Sequence, residues 1–428
     1  MNIKTFYNLG KKELFSLNRS ITGKGTKQTL LIIKKYLPNL KIKFFNSGQK
    51  VFDWRIPYEW NIKDAYVKDC YGNKIIDYKK NNLHVISYST PIKKNITKNK
   101  LLDNLYFLKK QTNAIPYITS YYKRRWGFCT SYNQFKDIKR NYKNNDKFNI
   151  LINSSFKKNG KLNYGELVLK GKSHQEILVS TYICHPSMAN NELSGPIVSM
   201  SLINYFKKKN LNKTIRFVFI PETIGSIAYI SKNIDHLKKN VCGGFNLSCI
   251  GDDRNHSCMF SKFEDSASDE ALVEAYNKLK INYKKYSFLH RGSDERQYSS
   301  PGVDLPITSI FRTMYGRYKE YHTSLDNFSL VTYGGIKGGF EVAKKAIEKL
   351  QNKIIPKNKI MCEPKLDKRN LYPTLGTKDH KIEPRNIMNF LMYSNGRYSI
   401  DKISNLTNIK LEECLKIYKR LKKENIIE

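Results

Sequence analysis

The sequence lacks long hydrophobic runs. No apolar stretch among the 428 residues approaches the ~18 residues that a membrane-spanning helix needs, and the longest, such as residues 215–221, have the length of a strand. The amino terminus also lacks the apolar segment of a secretory signal. We therefore expect a protein that does not insert into a membrane and that resides in the cytoplasm.

Paired cysteines are lacking as well. The eight cysteines are scattered along the chain and form no CxxC pair. They are therefore expected to be reduced thiols, which excludes a disulfide scaffold and a zinc knuckle. The hydrophobic share of 40% and the charged share of 26% are typical of a folded globular chain. Because the chain is much longer than a domain of ~150 residues, more than one folding unit is expected.

Acidic residues are scarce, with 37 Asp and Glu against 76 Lys and Arg, and the net charge is +39. The excess consists mainly of Lys, 61 against 15 Arg, spread over all segments. A nucleic-acid surface would concentrate this charge and combine it with Arg and stacking aromatics. Residues 378–428 carry 11 basic and 7 acidic residues, so their net positive charge per residue is close to the average of the whole chain. The composition therefore does not favour specific nucleic-acid binding.

Apolar strand-like runs alternate with helical patterns between residues 147 and 353. The strand patterns cover residues 176–183, 214–220, 241–250 and 303–311, and helical patterns lie between or after them. Alternation of this kind predicts an α/β fold with a doubly wound, mostly parallel sheet.

Two further patterns lie outside this region. Short alternating runs between residues 51 and 101 predict a small antiparallel sheet. A stretch rich in Lys, Pro and Asn at residues 352–378 is typical of a linker, and residues 380–428 contain three short amphipathic helical patterns. These helices predict a compact helix-turn-helix or winged-helix domain.

Polar residues collect where the predicted parallel strands end. His185 follows the strand at 176–183, Glu222 follows the next strand, and Asp294 and His322 flank the strand at 303–311. In an open parallel sheet these ends meet at one edge, where ligands bind. Imidazole, carboxylate and amide oxygen are the ligands of a catalytic zinc. The placement predicts a metal-dependent hydrolase, with a nearby carboxylate acting as the base.

Four long strings resemble the aminopeptidase-like proteins of polysaccharide biosynthesis. They are ICHPSMANNELSG (183–195), PETIGS (221–226), GSDERQYSSPGVDLP (292–306) and YHTSLD (321–326). The resemblance extends over nearly the whole chain. The core also resembles, more distantly, the two-zinc aminopeptidases and glutaminyl cyclases, which implies a zinc-exopeptidase-like sheet.

The resemblance implies a domain organisation. Residues 1–45 and 111–355 form the aminopeptidase-like α/β domain, and residues 46–110 form an inserted antiparallel β-domain. Residues 356–378 are a linker, and residues 379–428 form the winged-helix domain.

The two-zinc pattern is incomplete in this chain. His185 and His322 match its first and last ligands, but Asn191 stands at the position of the bridging Asp. Pro221 and Glu222 replace an adjacent pair of Glu, and Ser248 replaces a further Asp. Two divalent cations ~3.5 Å apart need a bridging anion, which a neutral amide cannot supply. We therefore expect one zinc ion.

The remaining roles stay open at the level of sequence. Glu222 is either the third ligand of the ion or the base. If it is a ligand, Asp294 is the best candidate for the base; if it is the base, Asn191 or Glu192 completes the ligand set. Glu192 is also a candidate substrate-binding residue.

The segment HRGSDERQY has two interpretations. Arg291 or Arg296 binds an anionic group of the substrate, or the charged residues of the segment form a structural ion-pair cluster. The aromatic segment at residues 121–129 is either a sugar or peptide platform near the pocket mouth or packing between domains.

Three functions are compared. The first is hydrolysis of an amide in a small amine-bearing or peptide-like substrate, in surface-polysaccharide biosynthesis. The second is a module that binds such a ligand without cleaving it, and the third is a regulator that acts through the winged helix. Assembly as a homo-oligomer stays open.

Overall fold

The computed structural model describes residues 2–369, 371 and 384–428. The predicted linker at 356–378 and winged-helix domain at 379–428 therefore lie partly outside the described residues, at positions 370 and 372–383. No described helix has the length and apolar character needed to cross a bilayer.

The regular elements are numbered in chain order. The helices are α1 (Ile3–Leu9), α2 (Lys24–Tyr36), α3 (Lys98–Leu102), α4 (Tyr132–Asn141), α5 (Ser194–Phe206), α6 (Ile224–Asn240), α7 (Ala267–Leu279), α8 (Glu295–Tyr298), α9 (Tyr333–Asn352), α10 (Pro384–Tyr393), α11 (Ile400–Thr407) and α12 (Leu411–Lys423). The strands are β1 (Lys41–Asn46), β2 (Lys50–Val51), β3 (Trp54–Arg55), β4 (Glu59–Lys68), β5 (Lys74–Asp77), β6 (Ile92–Thr97), β7 (Leu105–Tyr106), β8 (Phe128–Cys129), β9 (Lys147–Lys157), β10 (Lys161–Leu169), β11 (Ser173–Tyr182), β12 (Lys213–Ile220), β13 (Val241–Leu247), β14 (Ser257–Met259), β15 (Lys284–Tyr286) and β16 (Ile307–Phe311).

The centre of the molecule is an eight-stranded sheet in the order β1-β10-β12-β11-β13-β16-β14-β15. The four strands β12, β11, β13 and β16 are mutually parallel, and antiparallel pairs lie on both sides of them. Successive residues of β11 enter opposite cores, with Ile177 and Val179 facing one and Leu178 the other. Because helices cover both faces, the central strands are apolar throughout. The doubly wound α/β prediction is confirmed.

The inserted β-domain lies between β1 and β10. Its main sheet has the order β5-β4-β9-β6 and is antiparallel throughout. Strand β9 lies beyond residue 110, where the sequence analysis ended the insertion. The alternating buried side chains Phe148, Ile150 and Ile152 of β9 pack into the core of the inserted domain. A strand buried on one face fits this small sheet, whereas the central sheet is buried on both faces.

The terminal helices α10, α11 and α12 share a core of their own and form a winged helix, as predicted. Residues expected to begin the linker belong to the same unit, since Lys357 pairs with Asn395 and Asn358 pairs with Ile427. The unit also contacts the sheet domain, where Ser399 Oγ donates to Glu270 Oε2 at 2.6 Å.

A capping box begins helix α7. The Ser266 side chain accepts from the Asp269 backbone N–H, and the Asp269 side chain accepts from the Ser266 backbone N–H. We expect Ser266→Ala to lower the free energy of unfolding by about 1 kcal/mol, because a buried N–H loses its acceptor. Urea denaturation measures the change, and the exposed Ser329→Ala is the control. Equal stability of the two variants would contradict the importance of this cap.

Candidate metal centre

Two neighbouring parallel strands bring His185 and Glu222 together. Strands β11 and β12 end side by side, with Tyr182 opposite Ile220, and the Ile183 N–H donates to the Ile220 carbonyl at 3.0 Å. His185 follows the first strand and Glu222 follows the second. His185 Nε2 consequently lies 3.6 Å from Glu222 Oε2.

His322 reaches the same place from the loop that follows β16. Its ring centroid lies 5.4 Å from that of His185, and the ring stacks on Tyr321 at 3.9 Å. The backbone of His322 has φ of +55°, and its carbonyl accepts from the Tyr117 N–H at 2.8 Å. This left-handed conformation is strained for a side chain with a Cβ. The loop is thus held in an uncommon conformation that aims the imidazole toward His185.

Several buried atoms at this edge have no hydrogen-bond partner among the described residues. They include His322 Nε2, Asn191 Oδ1 and Asp294 Oδ2. Unpaired polar atoms are costly inside a protein, and such atoms are free to bind a water molecule, a substrate or an ion. The imidazole nitrogen of His322 and the amide oxygen of Asn191 are atoms that zinc accepts as ligands, and the free carboxylate oxygen of Asp294 can accept a proton. The residues present therefore fit a bound zinc ion.

Asn191 is fixed by hydrogen bonds that leave its oxygen free. Its Nδ2 donates to Tyr182 Oη at 2.7 Å, and its backbone N–H donates to Asp326 Oδ2 at 2.9 Å. Asp326 also accepts from the N–H groups of Ala189 and Asn190. The amide is therefore oriented with Oδ1 as an acceptor, but it brings no negative charge.

The titratable groups influence one another. Burial, together with the charge of His185, lowers the pKa of His322 to about 3. Burial raises the pKa of Glu222, although His185 opposes the effect. Burial and the charge of Glu222 raise the pKa of Asp294 to about 7. The site thus combines a neutral imidazole, which can bind a metal, with a carboxyl group that titrates near neutrality.

Glu192 has contacts that differ from the substrate-binding role expected of it. Its side chain is 0% exposed and accepts from His185 Nδ1 at 2.9 Å, while its second oxygen lies 3.3 Å from Arg19 Nε. A carboxylate on one ring nitrogen orients the other nitrogen toward a metal. Its position is that of a residue that orients His185, and a substrate has no access to it.

Arg19 is a residue that the sequence analysis missed. It is fully buried, and its Nε also donates to the His185 carbonyl at 2.9 Å. Burial lowers the pKa of Arg19, and the charge of Glu192 opposes the shift. Nothing in the surrounding sequence distinguishes this buried Arg from the basic residues of the surface. Only its position in the fold links it to His185.

The charged segment HRGSDERQY follows β15. Some of its residues lie at the site and others lie on the surface. Asp294 Oδ1 accepts from the Thr223 N–H and from Ser226 Oγ, both at 2.8 Å. Arg296 donates to Thr223 Oγ1 at 2.7 Å and so lies beside the residue that follows Glu222. Arg291 is exposed, and its guanidinium lies over the Phe288 ring at 5.4 Å. Its contacts give no support to the predicted anion-binding role.

Cys184 belongs to a second candidate metal site, which uses the same imidazole of His185. Cys184, His185 and Glu192 form a compact buried group of metal-ligand types. However, the thiol lies 3.6 Å from His185 Nδ1, the nitrogen already bonded to Glu192. Burial also raises the pKa of Cys184 to about 11, and its Sγ already accepts from the Glu222 backbone N–H at 3.2 Å. The Nε2 side of His185 is therefore the better site.

Tyr117, from the inserted domain's connection to β9, closes the site. Its ring lies edge-on to His185 at 5.3 Å and to His322 at 5.2 Å. Pairing between Pro116 and Thr323 anchors this segment to the His322 loop. An aromatic stretch follows Tyr117 in the sequence, but nothing in its pattern places Tyr117 at the histidines.

Comparisons with known proteins agree with this architecture. A family model described as a domain of unknown function, DUF4910, matches residues 7–353, and a winged helix-turn-helix model matches residues 354–428. A Clostridium acetobutylicum protein, provisionally named a polysaccharide biosynthesis protein with an aminopeptidase-like domain, is 40% identical over 400 residues. The match covers 92% of this chain and 89% of that protein. The resemblance indicated by the motifs is confirmed.

Solved structures of other proteins have a similar fold. A crystal structure from Clostridium acetobutylicum, provisionally described as a peptidase, is 36% identical, with a TM-score of 0.79 and coverage of 100% of this chain and 96% of that one. A zinc aminopeptidase from Bacillus subtilis is 13% identical, with a TM-score of 0.60 and coverage of 81% and 94%. The second likeness concerns the fold alone.

Proposed function

This chain belongs to the family of the domain of unknown function DUF4910, and we propose that it is a metal-dependent hydrolase that cleaves an amide bond at one zinc ion. The observation that carries the proposal is the pair of imidazoles, His185 and His322, beside Glu222. The unpartnered Nε2 of His322 and Oδ1 of Asn191 support it. In this proposal His185, His322, Glu222 and Asn191 hold the ion.

A bound zinc would polarise the substrate carbonyl and lower the pKa of a water molecule. Glu222 is assigned as a ligand because its carboxylate lies close to His185 Nε2. Asp294 is assigned as the base, since Thr223 and Ser226 fix one of its oxygens and leave Oδ2 to accept a proton. Tyr117 and Tyr321 flank the imidazoles and limit the access of bulk water.

The proposed substrate carries its amide on an amino sugar or a short peptide-like group. The name of the Clostridium relative refers to polysaccharide biosynthesis, and that of the Bacillus protein to aminopeptidase activity. Arg296, beside Thr223, is the candidate contact for an anionic group next to the amide.

Metal content and turnover test the proposal together. Purified full-length protein is analysed by mass spectrometry for zinc, and amino-acid amides and N-acylated amino sugars are offered as substrates. We expect one zinc per chain, cleavage of at least one substrate class, and loss of both zinc and turnover in Glu222→Gln. The exposed Glu412→Gln is the matched control. Wild-type protein without zinc would overturn the proposal.

The neutral Asn191 favours a second candidate, a module that binds its ligand without cleaving it. Stoichiometric zinc without cleavage of either substrate class would overturn hydrolysis and support this module. Turnover that is unchanged in Glu222→Gln would overturn the assigned site.

Glu192 provides an independent prediction about the same ion. We expect Glu192→Gln to weaken zinc binding about 10–100-fold, because a neutral amide no longer supports the basicity and orientation of His185. Competition with a chromogenic chelator measures the affinity. The variant also leaves Arg19 buried without its counter-ion, so Arg19→Met/Glu192→Gln is the matched variant. If the double variant regains stability but not zinc affinity, Glu192 orients the ligand; if zinc affinity is normal in both variants, it does not.

A further inference from the structure

A cleft of about 430 Å³ opens in the inserted domain, outside the histidine site. Its walls come from the end of β3 and its connection to β4, from the segment at residues 120–124 and from the end of β9. The lining includes Arg55, Tyr88, Tyr121, Tyr122, Arg124 and Phe156. A cleft of this size accommodates one or two rings of a small molecule.

Aromatic side chains form the floor and one wall of the cleft. Tyr88 is 2% exposed and stacks on Trp60 at 5.5 Å, and Tyr121 meets Tyr88 edge-on at 5.2 Å. Tyr122 stands at the rim, 57% exposed, supported by Trp54 at 5.7 Å. The floor is therefore rigid, and the rim presents an aromatic face that solvent and ligand can reach.

Cations line the mouth. Arg55, Lys123 and Arg124 are exposed, and the guanidinium of Arg124 lies over the Phe156 ring at 5.2 Å. Within the described part of the chain, the cleft lining contains no Asp or Glu. The mouth is therefore complementary to a phosphate or another compact anion. The general excess of Lys does not explain two Arg next to an aromatic floor.

The cleft lies next to the histidine site. Tyr121 Oη is hydrogen-bonded to Tyr117 Oη at 2.7 Å, and the Tyr117 ring contacts both imidazoles. A single tyrosine thus separates the inner wall of the cleft from His185 and His322. The cleft and the histidine site are therefore adjacent, joined through the hydrogen-bonded pair Tyr121 and Tyr117.

We propose that this cleft binds a phosphorylated sugar unit of the substrate, with the sugar ring against Tyr122 and Tyr121 and the phosphate between Lys123 and Arg124. The catalytic part of this inference rests on the proposed function, because it names the portion of the substrate remote from the amide. The binding part does not need turnover. A neutral peptide would leave the cations unused, and a nucleic acid would need a longer basic surface than this cleft offers.

Calorimetry with full-length protein tests the inference. The ligands are N-acetylglucosamine 1-phosphate, N-acetylglucosamine, inorganic phosphate and uridine monophosphate. We expect the sugar phosphate to bind at least tenfold more tightly than any of the other three. Tyr122→Ala and Arg124→Glu should each weaken it at least tenfold, whereas the exposed Lys337→Glu, on α9, should change it less than twofold.

Other results would overturn the inference. They are the absence of sugar-phosphate binding, equal binding of inorganic phosphate or uridine monophosphate, or an unchanged affinity in Tyr122→Ala and Arg124→Glu. The Asp294→Asn variant separates this inference from the proposed function, since it should bind the sugar phosphate normally. Binding without zinc or turnover would refute the hydrolase alone, and zinc-dependent turnover without binding would refute the cleft alone.

Discussion

Asp294→Asn is expected to reduce kcat by about 10²–10⁴-fold while zinc content stays unchanged, because the variant removes a general base but no ligand. The substitution preserves the shape of the side chain. Its Oδ1 still accepts from the Thr223 N–H and from Ser226 Oγ, and only the proton-accepting capacity of the second position is lost. Steady-state kinetics together with zinc analysis measure the two quantities on one preparation.

The pH dependence of kcat/KM is a second measurement that tests the role of Asp294 as the base. Burial and the charge of Glu222 raise the pKa of Asp294 to about 7. A base acts when it is deprotonated, so wild-type kcat/KM should rise as the pH increases through the pKa of Asp294, and this limb should disappear in Asp294→Asn.

The free energy of unfolding distinguishes a catalytic role of Asp294 from a structural one. A raised folded pKa means that Asp294 destabilises the fold once it ionises, so the neutral Asn variant should be at least as stable as wild type at pH 8. A rate loss below tenfold, or persistence of the limb, would contradict the assignment.

Arg216→Met is expected to lower the free energy of unfolding by about 3 kcal/mol, since it leaves two buried carboxylates without their shared cation. Arg216 on β12 donates to Glu166 on β10 at 2.7 Å and forms a bidentate pair with Glu176 on β11 at 2.7 and 2.9 Å. Urea denaturation at pH 7 measures the loss. Arg140→Met, which removes an exposed pair with Asp137, is the control and should cost less than about 1 kcal/mol. Equal costs would contradict the prediction.

The free energy of unfolding of Arg216→Met should depend on pH differently from that of wild type. Burial alone would raise the pKa of Glu176, but the hydrogen bonds and charge of Arg216 outweigh it and hold the pKa below its usual 4.5. The stabilisation is therefore complete above pH 4.5 and is lost as the pH falls through the lowered folded value. In Arg216→Met only the hydrogen bond and charge of His236 still oppose burial, so the pKa of Glu176 is higher than in wild type and protonation favours folding of the variant at a higher pH. The gap between wild type and variant should narrow as the pH falls from 7 toward 4.5.

The sheet and part of the site could be predicted from local pattern. Apolar runs such as residues 214–220 must be buried on both faces, and strands that alternate with helices must run parallel. Because the ends of parallel strands share one edge, placing His185 and Glu222 after such strands was enough to predict their proximity. The end of the inserted domain was harder to predict, since β9 follows a long irregular segment and its partners β4 and β6 are distant in sequence.

The fold class, the winged helix, the pair of histidines and the neutral residue at Asn191 could all be predicted from the order of the amino acids. The contact of Glu192 with His185, the place of Arg19 beside it and the position of Tyr117 against both imidazoles became visible in the folded chain alone. Periodicity and strand ends report burial and sheet edges, which are local properties. Contacts made by buried charges and by residues from an inserted loop depend on how distant segments pack, and no spacing along the chain encodes them.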